Sequence, residues 1–318
     1  MTTMQYLDAT RMRQLIGIRG GVDALHRALN DDAVNPENDG PRLFEQAPEG
    51  EFLLMPSMAT DFCGVKTLTL APDNPARGKP RVQGVYTLFR NEDLAPVMMM
   101  DATELTLVRT PATTMLAAKH LIRAKNMTGK IRTAVIFGTG PQSEKHARGI
   151  AELIRPEKIV IVGRRDDAAE QIVRHLRSEG IAVQQGTSLA VAEADLVVTV
   201  TASKESIVDD QLVRDDAIVL SVGTHGLEAR EVPPALARRA DVVVEGRTSA
   251  MREGGNIIPA RSVQEWQEMD LPNIQDLAKG HFALTAGRPV LFSGVGMAWE
   301  DLVIASEIYH RHQSEESE

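Results

Sequence analysis

The sequence predicts an α/β protein with two parts: a doubly wound parallel sheet of Rossmann type that begins near Thr133, and an α+β part ahead of it. Three observations carry this. Between Thr133 and Glu245, short apolar runs (133–137, 158–162, 196–200, 217–222 and 241–245) alternate with helical patterns opening near Ser143 and Ala168, as buried parallel strands joined by helices require. A glycine pair, Gly138 and Gly140, directly follows the first run. Ahead of Thr133 the texture changes to the strand-like segments 50–58, 63–71 and 82–89, rich in β-branched and aromatic residues and broken by the turn-forming 72–80, which predicts a mostly antiparallel part. A helix over 109–125 is expected to lead into the parallel sheet. A last helix is expected over 298–309, with the terminal 314–318 fraying.

Composition narrows the function. A chain of 318 residues, 43% hydrophobic, is long enough for two domains that each bury a core. The single cysteine, Cys63, makes no internal disulfide, and no basic segment followed by an apolar run opens the chain, so a cytoplasmic setting is expected. No stretch approaches the roughly 20 apolar residues of a membrane span. A net charge of -9 without a dense Lys/Arg tract argues against a nucleic-acid partner. No metal-ligand set is expected.

The candidate cofactor site is Gly138-Thr139-Gly140-Pro141-Gln142, between the first strand and its helix. Gly138 permits the tight turn, Gly140 lets backbone approach a pyrophosphate, and the helix N-terminus offers N–H groups to the anion. The third small position of this motif is Ser143 instead of glycine. The second strand ends in Gly163-Arg164-Arg165, where an NAD enzyme would usually place an acidic residue for the ribose. Glycine removes that carboxylate and the arginines suit a 2′-phosphate, so NADP(H) is expected over NAD(H), with NAD(H) still admitted. The bland alternative is two arginines solvating a loop beside Asp166 and Asp167, with Asp166 free to reach a ribose.

Several stretches together resemble the ornithine cyclodeaminase/mu-crystallin family: Leu54-Met55-Pro56 before Gly64-Val65-Lys66, the run Gly84–Phe89, Leu94-Ala95-Pro96, Asp101–Thr110 with Thr106/Arg109/Thr110, the Gly140/Gln142/His146 helix start, Arg230-Glu231-Val232, and 292–298 before Glu300-Asp301-Leu302. The resemblance covers roughly 42–305. It implies a substrate-binding and dimerisation domain over 1–115 and 297–318, a dinucleotide-binding domain over 116–296, and a homodimer joined through the first domains. It also implies that Arg42, Lys66 and Arg109 hold a substrate carboxylate beside the nicotinamide, with Met55 lining the pocket. Thr110 is expected to cap its helix and approach the cofactor phosphates; Thr201, Ala202, Ser203, Val222, Val295 and Gly296 are expected along the ribose and nicotinamide.

From the residues alone, Lys66 in Val-Lys-Thr-Leu-Thr-Leu either snorkels from an exposed strand face or points into a site, where desolvation would lower its pKa toward proton transfer. Arg42 has the alternative of a surface pair with Glu45, and His146 that of a structural hydrogen bond. Arg109 at a helix start would oppose the dipole, which a bound anion would relieve. The sequence departs from the cyclodeaminase pattern at His225, which replaces an aspartate acting on the substrate amine, and Ser293-Gly294 replace a Lys-Ser pair. Neutral histidine accepts a proton but attracts no ammonium. The expected activity is therefore NAD(P)H-dependent oxidoreduction at the C=N or C–NH bond of a small cyclic imino acid or α-amino acid, with Lys66 and His225 as candidate catalytic groups. The alternatives are ornithine cyclodeamination, with Glu228 as a substitute carboxylate, and non-catalytic binding of a small ligand.

Overall fold

The computed structural model describes residues 4–317, apart from the side chain of Pro75. The chain divides into two compact units, one built from residues up to Thr113 and from Met297 onward, the other spanning Thr114–Gly296.

The first unit contains β1 (Gln5–Leu7), α1 (Ala9–Leu15), α2 (Ile18–Asn30), β2 (Leu43–Ala47), β3 (Gly50–Met58), β4 (Phe62–Leu70), β5 (Val82–Arg90), β6 (Pro96–Asp101) and the first half of α3 (Ala102–Ala124). The strands form one sheet in the order β1-β6-β5-β4-β3-β2, antiparallel except for β1 against β6. Burial in β4 alternates, with Phe62, Gly64, Lys66 and Leu68 inward and Cys63, Val65 and Thr67 outward. This two-residue period makes one face a core and leaves the other half-exposed. Register aligns Met55, Lys66, Tyr86, Met100 and Leu7 in one row across five strands, all inward and all buried. A lysine thus stands in the middle of an apolar row.

The second unit holds the rest of α3, then β7 (Thr133–Phe137), α4 (Pro141–Leu153), β8 (Lys158–Val162), α5 (Asp166–Ser178), β9 (Val183–Gly186), β10 (Leu196–Thr199), β11 (Ile218–Ser221), α6 (Pro234–Arg239), β12 (Asp241–Val244), α7 (Arg247–Glu253), α8 (Val263–Glu268), α9 (Ile274–Lys279) and β13 (Val290–Ser293). Back in the first unit, α10 (Ala298–Glu316) packs on α2 and on the inner face of β3, β4 and β5. The seven strands of the second sheet are all parallel, in the order β12-β13-β11-β10-β7-β8-β9. Chain direction across the sheet reverses between β7 and β10, and loops at the carboxyl ends of strands flanking such a switch point form the usual ligand crevice. The strand runs β7, β10, β11 and β13 are buried throughout, as strands covered on both faces must be.

Two helices differ from the sequence reading. The helix expected over 109–125 begins at Ala102, where Asp101 Oδ1 accepts from Glu104 N at 2.7 Å and so caps the first turn. Pro111 lies inside it, in a position that sequence rules would reserve for a first turn. The last helix continues past Tyr309 to Glu316, so Ser314 to Glu316 are helical rather than frayed; Glu318 lies outside the described residues.

Candidate functional site

A cluster of buried charge occupies the first unit. Lys66 is 1% exposed and its Nζ donates to Asp301 Oδ2 at 2.6 Å. Arg109, on α3, donates through a terminal nitrogen to Glu300 Oε2 at 2.8 Å, and its Nε lies 3.6 Å from Asp301 Oδ1. Glu300 and Asp301 stand in the first turn of α10, both 0% exposed. Carboxylates favour that end of a helix, but total burial of two neighbours demands cations beside them. Asp39, in the loop before β2, accepts from Ala298 N at 2.8 Å and Trp299 N at 3.1 Å, fastening that loop to the start of α10. Arg42 follows three residues later and acts electrostatically on both Asp39 and Lys66. Three cations and three carboxylates therefore meet behind an apolar sheet face, with Met55 as the cross-strand neighbour of Lys66.

Burial pulls the Lys66 ammonium down from its usual value to about 8, opposed by the adjoining Asp301 carboxylate and reinforced by Arg109 and Arg42. Burial pushes Asp39 up to about 6, against the two amide donors of α10 and Arg42 and with the help of Asp301. Of the two sequence alternatives for Lys66, the structure excludes the exposed, snorkelling one. It also corrects the argument made for Arg109 and Thr110. Both lie well inside α3, so Thr110 is not its cap, and the dipole at a helix start explains neither. Glu300 and Asp301 account for the charge of Arg109 instead.

In the second unit the expected cofactor residues gather at the carboxyl edge of the sheet. Gly138 has φ +132, and a Cβ there would stand 2.9 Å from Val200 O, so only glycine lets the loops after β7 and β10 meet. Gly140 is the N-cap residue of the 13-residue α4 and has no side-chain cap; Pro141 follows at the first turn. No heavy atom lies within 4 Å of where a Cβ on Gly140 would be. A glycine that is neither strained nor crowded, at an uncapped helix start, leaves the space and donors a pyrophosphate uses, so the residues present fit a dinucleotide. Gly163 also makes room for the phosphate loop: a Cβ there would stand 2.4 Å from Thr139 Cγ2. Arg164 and Arg165 are exposed, and neither side chain has a hydrogen-bonding or ionic partner among the described residues. Asp166 accepts from Gln185 Nε2 at 3.1 Å. His146 is fully buried, with Nδ1 2.8 Å from Gln142 O and Nε2 3.0 Å from Thr114 Oγ1; burial lowers it to about 4, which keeps it neutral, the structural role allowed for it.

The loops after β10, β11 and β13 are organised by two carboxylates that sequence reasoning did not nominate. Glu231 accepts from Thr201 N, Thr201 Oγ1, Ser221 Oγ and Gly223 N, while Glu245 Oε2 accepts from Val295 N at 2.8 Å and Gly296 N at 2.7 Å. These hydrogen bonds fix Thr201, with Ala202 and Ser203 following, and the pair Val295 and Gly296; Val222 stands between Ser221 and Gly223. Glu245 ends an apolar strand run at its carboxyl end, a signal that could have marked it. His225 and Glu228 are exposed on the loop between Gly223 and Glu231. No helix of the described residues is long and apolar enough to cross a membrane.

The chain is 30% identical over 297 residues to the Δ1-pyrroline-2-carboxylate reductase 1 of Burkholderia multivorans, covering 93% of this chain and 92% of that one. Among solved structures it is similar to the Thermococcus litoralis Δ1-pyrroline-2-carboxylate reductase in complex with NADH and L-proline, with a TM-score of 0.87 at 23% identity and 98% of both chains covered. An archaeal alanine dehydrogenase dimer with bound NAD superposes with a TM-score of 0.86 at 22% identity, covering 98% of this chain and 97% of that one. At these identities the structures establish the fold. Residues 7–316 match the model of the ornithine cyclodeaminase/mu-crystallin family, and the chain belongs to that family.

Proposed function

We propose that the chain is an NAD(P)H-dependent oxidoreductase that reduces the C=N bond of a small cyclic imino acid, or oxidises the corresponding α-amino acid. The observation that carries this is Lys66: a lysine 1% exposed, brought to about 8, held 2.6 Å from a buried carboxylate and flanked by Arg109 and Arg42. Such a group both attracts a carboxylate and exchanges a proton near neutral pH. The similarity to a Δ1-pyrroline-2-carboxylate reductase supports the substrate class.

In this mechanism Arg42 and Arg109 attract and orient the substrate carboxylate, Arg109 itself being held by its hydrogen bond to Glu300. Lys66 holds the proton at Nζ that the imine nitrogen needs, and Asp301 holds Lys66 in place and keeps it charged. The backbone of Gly138 to Gln142, the loop 201–203 and Val295-Gly296 would hold the dinucleotide. When bound, its nicotinamide supplies or accepts the hydride. Arg164 and Arg165, exposed and without partners among the described residues, support NADP(H) as the preferred form, with NAD(H) as a second substrate.

His225 stands where cyclodeaminases carry an aspartate and offers no negative charge to a distal ammonium, so ornithine cyclodeamination is the weaker reading. We also propose a homodimer joined through the outward face of the first sheet, on which Tyr6 of the edge strand β1, Leu43 of the opposite edge strand β2 and Met58 of β3 are 54%, 53% and 83% exposed. The deciding experiment follows NADPH absorbance with Δ1-pyrroline-2-carboxylate, its piperideine homologue and ornithine. Stoichiometric NADPH consumption by the imines supports the proposal. Efficient proline formation from ornithine without imine reduction would refute it.

A further inference from the structure

Glu231 is a motif residue that the proposed chemistry leaves without a task, yet four hydrogen bonds converge on its carboxylate at the second unit's loop edge. It is 0% exposed. One oxygen accepts from Thr201 N at 2.6 Å and Thr201 Oγ1 at 2.8 Å; the other accepts from Gly223 N at 2.9 Å and Ser221 Oγ at 3.1 Å. Ser221 Oγ also receives from Thr199 Oγ1 at 2.8 Å, so the pattern extends across the ends of β10 and β11. The two loops lie so close that a Cβ on Gly223 would stand 2.2 Å from Thr201 N. The residue that ties them is itself fixed from behind: Glu231 N donates to Asn256 Oδ1 at 2.7 Å, and Glu231 O accepts from Ile207 N at 2.9 Å. Asn256 in turn donates to Thr224 Oγ1 at 3.3 Å, next to His225.

We infer that Glu231 is a positioning residue for hydride transfer, its carboxylate fixing the loops after β10 and β11 and thereby the place of the nicotinamide. The inference rests on the NAD(P)H-dependent reading above. Its chemistry requires a carboxylate rather than any polar side chain. Two backbone N–H groups, on Thr201 and on Gly223, point at different oxygens. An amide in the same place accepts on one side only. Whichever way a glutamine turned, its NH2 would confront one of those N–H donors and release that loop. A fold-stabilising role alone does not call for this arrangement at the carboxyl edge next to the switch point, where small displacements of a bound reactant are costly to rate.

The test compares Glu231→Gln and Glu231→Asp with the unaltered protein in three measurements: NADPH binding by fluorescence, steady-state reduction of Δ1-pyrroline-2-carboxylate, and the primary deuterium isotope effect on kcat with NADPH labelled at the transferred position. In Glu231→Gln, kcat is expected to fall roughly ten- to a hundredfold, the KM for the imine to stay within about threefold, and the isotope effect to rise as hydride transfer becomes slower than product release. Glu231→Asp keeps both acceptors and recovers part of the rate. An unchanged kcat and isotope effect in Glu231→Gln overturns the inference. So does a loss that merely tracks the fraction of protein able to bind NADPH, with the isotope effect unmoved, since that is what partial unfolding produces. If the unaltered protein binds no NADPH, the functional proposal itself fails and carries this inference with it.

Discussion

Replacing Lys66 by methionine keeps nearly the same volume in the row Met55–Tyr86 while removing the charge. Two contributions to rate vanish together. A charge-assisted hydrogen bond to the substrate carboxylate is worth about 1.5–3 kcal/mol, and general acid catalysis contributes roughly 10²- to 10⁴-fold. The expected loss in kcat/KM is therefore roughly a thousandfold or more. The unaltered enzyme should reveal the same group by pH. With Lys66 at about 8, about nine-tenths of it is protonated at pH 7, so kcat/KM for imine reduction should be flat near neutrality and fall about tenfold per unit above pH 8. Removal of the lysine also leaves Asp301, 0% exposed, with Arg109 Nε at 3.6 Å as its remaining cation, and breaking such a pair costs about 3–5 kcal/mol of stability. Thermal melting must accompany the kinetics, and Lys66→Met combined with Asp301→Asn should melt higher than Lys66→Met alone, because no unpaired carboxylate remains. NADPH affinity should stay within about twofold, since its expected residues other than Thr110 belong to the other unit. A kcat/KM within threefold of the unaltered enzyme, or a profile without a break near pH 8, would refute the role of Lys66.

Arg109→Ala should lower kcat/KM roughly a hundredfold and leave NADPH binding intact; loss of cofactor binding instead would show the clamp to be misplaced. Arg164→Asp should weaken NADPH binding far more than NADH binding, as measured by fluorescence titration, while Gly163 must be left alone because a Cβ there would strike Thr139 Cγ2 at 2.4 Å. His146, lowered from 6.5 to about 4 by burial, binds its proton later in the folded than in the unfolded chain, so falling pH removes about 3 kcal/mol of stability between those values. A His146→Gln variant should melt with a shallower pH dependence over that range, and an unchanged slope would contradict the assignment. Light scattering at micromolar concentration should give a dimer; a monomer would leave the outward sheet face unexplained.

Local pattern was enough for five of the seven parallel strands. The runs at 133–137 and 158–162 are apolar on both faces and flanked by glycine, and nothing in tertiary structure competes with that choice. The glycine turn at Gly138 was equally legible, because its positive φ and close approach are demands on a single residue that only glycine meets. β9 escaped detection because Val183 is its one apolar residue, and β13 takes its place between β11 and β12 only through long-range pairing. The start of α3 was misplaced because Pro111 looks like a first-turn residue, and its tolerance mid-helix is a tertiary outcome. Two alternatives stood for Lys66, since one strand period cannot tell an exposed face from a buried one; the return of α10 across β3, β4 and β5 decided it. The partners of the charged groups were beyond sequence altogether. Lys66 meets Asp301 across 235 positions, Arg109 meets Glu300 across 191, and Glu231 meets Thr201 across 30. The sequence by itself determined which residues carry charge and where the chain turns, because these are local properties. Which charge is buried against which, and hence which pKa moves, was decided only when the folded chain removed water from both partners.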